Sequence, residues 1–259
     1  MSALKRSFAA AGAMLALAAL PAAAQDLTIV SKVTHNNEPP AIATNYIASS
    51  RMRMANPDGG EFMAEFASGQ MTIIDNKKKQ YYVVTRQEMQ AVTAHIQAQM
   101  KQMEEQMKGM PPAVREKMAG MMGGVAQAID VQKGQGGRKI AGYSCENWVV
   151  TFGEMVRQEQ CLTIELQYPV QVWDAQKDLA ASMGGVGGPM GEGMGKMYEK
   201  FKQMKGMPLA NTSTTKILGK TSTTTTEVTE IKKGPIPASA WEIPAGYKKV
   251  DSPAAKMLK

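Results

Sequence analysis

Short runs of strand-forming residues, separated by still shorter turn signals, fill the chain from Leu27 to Thr85. The connections are His35-Asn36-Asn37-Glu38-Pro39-Pro40, Asn56-Pro57-Asp58-Gly59-Gly60, Ser68-Gly69 and Asp75-Asn76-Lys77-Lys78. Links of this length join antiparallel neighbours, because a parallel crossover needs on the order of a dozen residues. Ile42–Met54 reads as one extended segment, and Tyr81-Tyr82-Val83-Val84 is apolar on both faces. A strand of the latter kind is expected at the centre of a sheet, or covered on both sides. The same signal returns late in the chain, where Asn211–Leu218 and Lys220–Ile231 meet at Gly219. Both runs are dense in threonine, whose branched Cβ favours strands. About nine strands are expected.

The composition changes abruptly at Arg86. Arg86–Lys108 contains neither proline nor glycine and is rich in Gln, Ala, Met and Glu, which form helices well. Met89, Val92, Ile96, Met100, Met103, Met107 and Met110 recur every three or four residues and define one helical stripe. After Gly109 and Pro111-Pro112, Ala113–Met122 predicts a second helix with Val114, Met118, Met121 and Met122 on its apolar side. Trp173–Ser182 reads as helical, and Gly184–Gly195 as a mobile, glycine-dense run. Glu192–Lys205 resumes a helix carrying Met194, Met197, Phe201 and Met204 on one side. The fold class expected is therefore α+β and mostly β: a curved, half-barrel-like antiparallel sheet with Met-rich helices packed on one face.

The first residues read as an export signal. Lys5 and Arg6 precede the apolar run Phe8–Leu20, Pro21 breaks it, and Ala22-Ala23-Ala24 offers small residues for cleavage. That run is shorter than the roughly 20 residues a spanning helix needs. The expected division is a signal peptide over 1–24 and one β-rich domain over 25–259, with helical insertions at about 86–122 and 174–206. The mature chain is expected to be soluble in the periplasm or secreted, with no transmembrane segment. Its formal charge of +7 is spread among interspersed acids, without a basic stripe carrying aromatics, so nucleic acid is not an expected partner.

Export makes a disulfide the default for Cys145 and Cys161, the only two cysteines. Tyr143–Thr151 and Arg157–Gln167 both read as strands around Gly153. Placing the turn at Gly153 opposes the two cysteines directly, on one face of a hairpin. The preceding Gly134-Gln135-Gly136-Gly137 reads as flexible.

No catalytic constellation is visible, and the chain is read as a non-enzyme without a cofactor. His35 sits in a polar turn, His95 lies near the edge of the Met stripe, and Ser144 has no G-x-S-x-G frame. Glu104-Glu105 and Glu159 read as solvated charges. Three readings of the methionines stay open. They can fill gaps between helix and sheet, or form an adaptable surface for acyl chains or lipidated polypeptide. Alternatively, Met100-x-x-Met103, Met107-x-x-Met110 and Met118-x-x-Met121 bring together thioethers suited to Cu(I) or Ag(I), although no His or Cys set accompanies them and no metal site is assigned. A structural envelope protein without a small ligand is a further possibility.

Three segments, Ser68–Asp75, Ile140-Ala141-Gly142-Tyr143-Ser144-Cys145-Glu146-Asn147-Trp148 and Trp241–Tyr247, resemble a family of exported bacterial proteins, domain-of-unknown-function family 4412. That family looks distantly similar to LolA/LolB-like outer-membrane lipoprotein carriers and receptors. The resemblance implies a curved sheet closed by helices over an apolar cavity, with the Met-rich helices as its lid. It gives no lipobox cysteine and no carrier-specific arginine. The expected function is a periplasmic binding protein for an apolar ligand, a lipid or an acylated protein. Its candidate contacts are Met100, Met103, Met107, Met110, Met118, Met121, Met194, Met197, Phe201 and Met204.

Overall fold

β-Branched and alternating segments pair with their neighbours in sequence, and the result is one sheet. A computed structural model describes residues 26–55, 59–109, 129–166, 199–201, 203–217 and 219–257. The strands are β1 (Leu27–His35), β2 (Ala41–Ile47), β3 (Arg51–Ala55), β4 (Gly60–Glu65), β5 (Gln70–Asp75), β6 (Gln80–Val84), β7 (Ile129–Ile140), β8 (Tyr143–Phe152), β9 (Val156–Thr163), β10 (Met207–Ile217), β11 (Lys220–Lys233) and β12 (Lys248–Lys249). They lie in the order β12-β6-β5-β4-β3-β2-β1-β11-β10-β9-β8-β7. Only the two-residue β12 runs parallel to its neighbour. The β1–β11 ladder joins the meander β1–β6 to the meander β7–β11.

Among the described residues the sheet has twelve strands, against the about nine expected. Ile42–Met54 is two strands, because Ala48 N–H bonds to the Arg51 carbonyl and turns the chain. The glycines at 134–137, expected to be flexible, belong to β7. Glycine is needed there for close approach: a Cβ on Gly137 would stand 2.4 Å from the Cys145 carbonyl oxygen. Tyr81–Val84 is not central. It forms β6, next to the sheet edge, and the C-terminal segment pairs along its outer edge.

An open sheet of this many strands rarely stays flat. Three strands separate β11 from β7, yet Arg138 Nη2 lies 2.6 Å from Glu227 Oε2, and Lys233 Nζ lies 5.2 Å from the centre of the Tyr143 ring. The sheet therefore curls over on itself at this end. Two bulges sit at the bend, one between Val30 and Ser31 relative to β11, the other between Pro208 and Ala210. A bulge adds one unpaired residue and sharpens the local twist. Below the bend, Leu27, Ile29, Ile47, Val228, Met207 and Leu209 share a core with Ile140, Cys145 and Cys161.

Cys145 and Cys161 are bonded, with Cα atoms 5.3 Å apart. Their register differs from the direct opposition expected: Cys161 faces Asn147, and Cys145 is its diagonal neighbour. The turn runs through Gly153, Glu154 and Met155, with Met155 N–H on the Phe152 carbonyl, so the hairpin axis moves by one residue. The shift of index sum is even, which keeps both sulfurs on one face.

The helix predicted over Arg86–Lys108 is present as α1 with those limits. Its start is a reciprocal cap. Thr85 N–H bonds to Glu88 Oε2 at 2.8 Å, and Glu88 N–H bonds to Thr85 Oγ1 at 3.1 Å. The cap holds the Glu88 carboxyl below the usual range, through the Thr85 backbone bond first and the Thr85 hydroxyl second. The Ser252 hydroxyl also donates to Glu88, and a short helix α2 (Pro253–Met257) packs against α1. The helices expected over 113–122 and 173–182 lie outside the described residues. So do residues 1–25, which include the expected signal peptide.

Candidate functional site: the inner face of the sheet

Residues directly opposed in adjacent strands share a face, so the ladders can be followed across the sheet. Ile47 opposes Met52, Met52 opposes Ala64, Ala64 opposes Met71, and Met71 opposes Val84. One step along, Met54, Phe62, Ile73 and Tyr82 form a second row on the same face. Every position in both rows on β3–β6 is apolar or aromatic. Alternation along the strands creates this floor, on the same face as the buried Leu27, Ile29, Ser31, Val33 and Ile47, the inner face of the sheet. Its side chains are only partly sealed: Met52, Phe62, Ala64, Met71, Ile73 and Tyr82 are half-buried, and Met54 is 36% exposed. A filled protein core would bury such residues completely.

Through β1 the inner face continues as Leu27, Ile29, Ser31 and Val33, all buried. Beyond the β1–β11 ladder its chemistry changes. Val33 opposes Thr226, Thr226 opposes Asn211, Asn211 opposes Gln160, and Gln160 opposes Trp148. A parallel row runs Thr224, Ser213, Gln158 and Val150. The inner face is thus divided into an apolar half on β2–β6 and an uncharged hydroxyl and amide half on β9–β11.

The outer face of β2–β5 serves a different purpose. Tyr46, Arg53 and Glu61 point there, and the segment around Ala238–Trp241 lies on them. Arg53, only 8% exposed, gives its Nε to Glu61 Oε2 at 2.5 Å and its Nη1 to the carbonyls of Ala240 and Glu242, each at 2.9 Å. Asn76 donates to Glu61 Oε1, and Tyr247 Oη–H donates to Asn76. Burial alone would raise the Glu61 carboxyl, but bonds from Arg53 and Asn76 and the Arg53 charge outweigh it and hold it below the usual range. Trp241 meets the Tyr46 ring edge-on at 6.1 Å and lies under Arg51 at 4.4 Å. An open cleft of about 340 Å³ borders this network, lined by Thr44, Tyr46, Arg53, Ala55, Glu61, Pro237, Ser239 and Ala240. Its guanidinium is already committed to the C-terminal segment. The cleft reads as the seam of a structural clamp.

The sequence-predicted contacts fall in three groups. Met100, Met103 and Met107 lie on α1, and their side chains are outside the described residues. Met110, Met118, Met121, Met194 and Met197 are outside them altogether. Phe201 and Met204 are half-buried, and the Phe201 ring stands 6.4 Å from that of Phe152 on β8. On α1, Met89 and Val92 are half-buried and Ile96 is 42% exposed. Sequence reasoning missed the floor residues Met52, Met54, Phe62, Met71, Ile73 and Tyr82. Period-two alternation was the available signal, but it needed the register between strands to show a single surface. Among the described residues, no three His, Cys, Asp or Glu side chains gather in a metal-holding group. His35 Nδ1 pairs with Thr224 Oγ1 at 3.0 Å, and His95 Nε2 with Gln99 Nε2 at 3.0 Å.

A family model described as Domain of unknown function (DUF4412) matches residues 29–247. The chain belongs to that family. No curated protein matches this DUF4412 chain. Among solved structures, PNGF-II in a C2 space group is 11% identical with a TM-score of 0.39, over 91% of this chain and 32% of that one. MucB is 12% identical with a TM-score of 0.36, over 86% of this chain and 57% of that one. A LolA superfamily protein from Nitrosomonas europaea is 5% identical with a TM-score of 0.17, over 86% and 91%. The DUF4412 chain spans about a third of the PNGF-II chain and somewhat over half of MucB. At these scores the likenesses carry no weight for function. The disulfide fits an oxidising, extracytoplasmic compartment. No described helix is long and apolar enough to cross a membrane.

Proposed function

We propose that this DUF4412 protein is a non-catalytic, extracytoplasmic binding protein that takes an acyl chain on the inner face of β2–β6. The acyl chain belongs to a lipid or an acylated polypeptide. One observation carries the reading: two complete rows of apolar side chains cross β3–β6 on the inner face, and all of them but the buried Val84 stay partly exposed. Burying one methylene is worth about 0.8 kcal/mol, so a chain of about twelve gains on the order of 10 kcal/mol. Association costs of about 4–15 kcal/mol offset much of that gain. Methionines on the floor suit such a ligand because the thioether side chain repacks at little cost. The copper reading of the helical methionines rests on side chains outside the described residues and is not pursued.

The test is binding of N-phenyl-1-naphthylamine, an uncharged apolar fluorophore, followed by its displacement with a twelve-carbon amphiphile. Phe62→Asp and Ile73→Asp place a charge on the floor and should each abolish probe enhancement. Met100, Met103 and Met107→Leu together should preserve it. If the native protein gives no enhancement, or the two aspartates leave it intact, the reading fails.

A further inference from the structure

We infer that the β5–β6 turn and β12 form a basic edge that docks the protein on an anionic lipid bilayer. Two short runs supply it, Lys77-Lys78-Lys79 and Lys248-Lys249, which are far apart in the chain. Pairing brings them together. Lys248 stands in register with Gln80, and its N–H bonds to the Lys79 carbonyl at 3.0 Å. Val250 N–H bonds to the Tyr81 carbonyl at 2.9 Å, which fixes the next turn of the same edge. All five lysines are exposed.

Few carboxylates answer them. Within residues 75–82 and 247–251 the acids are Asp75 and Asp251, and Asp75 is taken by Lys78 at 2.9 Å. Glu88 lies near Lys249 but is held in the α1 cap. By contrast, Lys133, Arg138, Arg157 and Lys232 each stand within 3.3 Å of a carboxylate. Cations crowded on one edge repel one another, and an anionic surface relieves that repulsion. Edge lysines also deter pairing with a passing strand, which accounts for charge on β12 but not on the turn.

Two observations favour a bilayer over a soluble polyanion. Val250, next after Lys249, is 36% exposed and offers an apolar contact beside the charges. The floor row at Ile73 and Tyr82 begins one strand in from β12, and Tyr82 follows Lys79 by three residues, about 10 Å along β6. A bilayer supplies acyl chains as well as negative charge, so this choice of partner rests on the acyl-binding reading above. Each lysine held near such a surface is worth about fivefold in partitioning.

The experiment is co-sedimentation of the full chain, disulfide intact, with vesicles of phosphatidylcholine alone or mixed three to one with phosphatidylglycerol. The native protein should partition at least tenfold more strongly onto the anionic vesicles in about 0.1 M salt, and release in about 1 M, where screening shortens to about 3 Å. Lys77→Gln, Lys79→Gln and Lys248→Gln together should lower that partitioning by about a hundredfold. The same loss of charge elsewhere, in Lys32→Gln, Lys216→Gln and Lys220→Gln, should lower it by less than about fivefold. Both triple variants should keep the native urea midpoint. Equal partitioning onto the two vesicle types, binding that survives high salt, or the same loss in both triples overturns the basic edge. Capture by soluble dextran sulfate with none on the anionic vesicles overturns the bilayer in favour of a polyanion. Phe62→Asp should sediment as the native protein does, so the two sites fail separately: vesicle binding without probe binding overturns the acyl reading and leaves the docking edge standing.

Discussion

Replacing Arg53 tests whether the clamp between the sheet and the C-terminal segment holds as described. In Arg53→Met the stem volume remains, but three charge-assisted hydrogen bonds disappear. The carbonyls of Ala240 and Glu242 lose their donor, and the part-buried Glu61 carboxylate keeps only Asn76. Removing one partner of a buried ion pair costs about 3–5 kcal/mol, because the other charge stays behind. For a chain of this size that corresponds to a Tm lower by roughly 6–20 °C. Urea unfolding followed by tryptophan fluorescence suits the site, since Trp241 lies between Tyr46 and Arg51. The clamp also carries a pH signature. Glu61 is depressed in the folded state, so its contribution is present above the ordinary carboxylate pKa and is lost as pH falls through the lower folded value. The native protein should therefore lose stability on acidification below about pH 4.5, and Glu61→Gln should flatten that part of the profile. A loss under 1 kcal/mol in Arg53→Met, or an unchanged acid limb in Glu61→Gln, would refute the reasoning.

Three further outcomes follow from the fold. Reduction of Cys145–Cys161, or the double change to serine, opens a 16-residue separation and should cost about 3 kcal/mol in urea unfolding. Gly206 has φ 111°, and a Cβ there would stand 2.3 Å from the Thr163 carbonyl oxygen, so Gly206→Ala should destabilise by at least about 1–3 kcal/mol. Thr85→Ala removes the reciprocal cap of α1. Faster amide exchange confined to the first turns of 86–108, with the sheet unchanged, is the expected result.

The elements were easier to read than the surface they make. Arg86–Lys108 was legible because a run without Pro or Gly carries a three-to-four periodicity and stops at Gly109. The threonine hairpin was legible for its branched side chains and Gly219. Strand β7 was not: Gly134, Gly136 and Gly137 are ordinarily signs of a loop, and only the nearness of the Cys145 carbonyl explains them. The cysteine pairing could be read from strand parity, whereas its diagonal register could not, because turn length sets the hairpin axis. Attention to methionine spacing drew the candidate site to the helices. The floor on β3–β6, where Met52, Met54 and Met71 alternate with Arg53, Met63 and Thr72 facing the other way, adds a second set of candidate contacts. Sequence shows that alternation one strand at a time. Which strands share a surface is decided by pairing between distant segments, including β1 with β11.

The parallel contact of Lys248 and Lys249 with Gln80 and Tyr81 has a bearing on biogenesis. β6 presents unpaired amides and carbonyls to any passing chain until a segment made some 170 residues later arrives to occupy them. Until then the first meander carries a sticky flank. Truncation before residue 248 should leave a protein that forms its ladders yet self-associates through that flank.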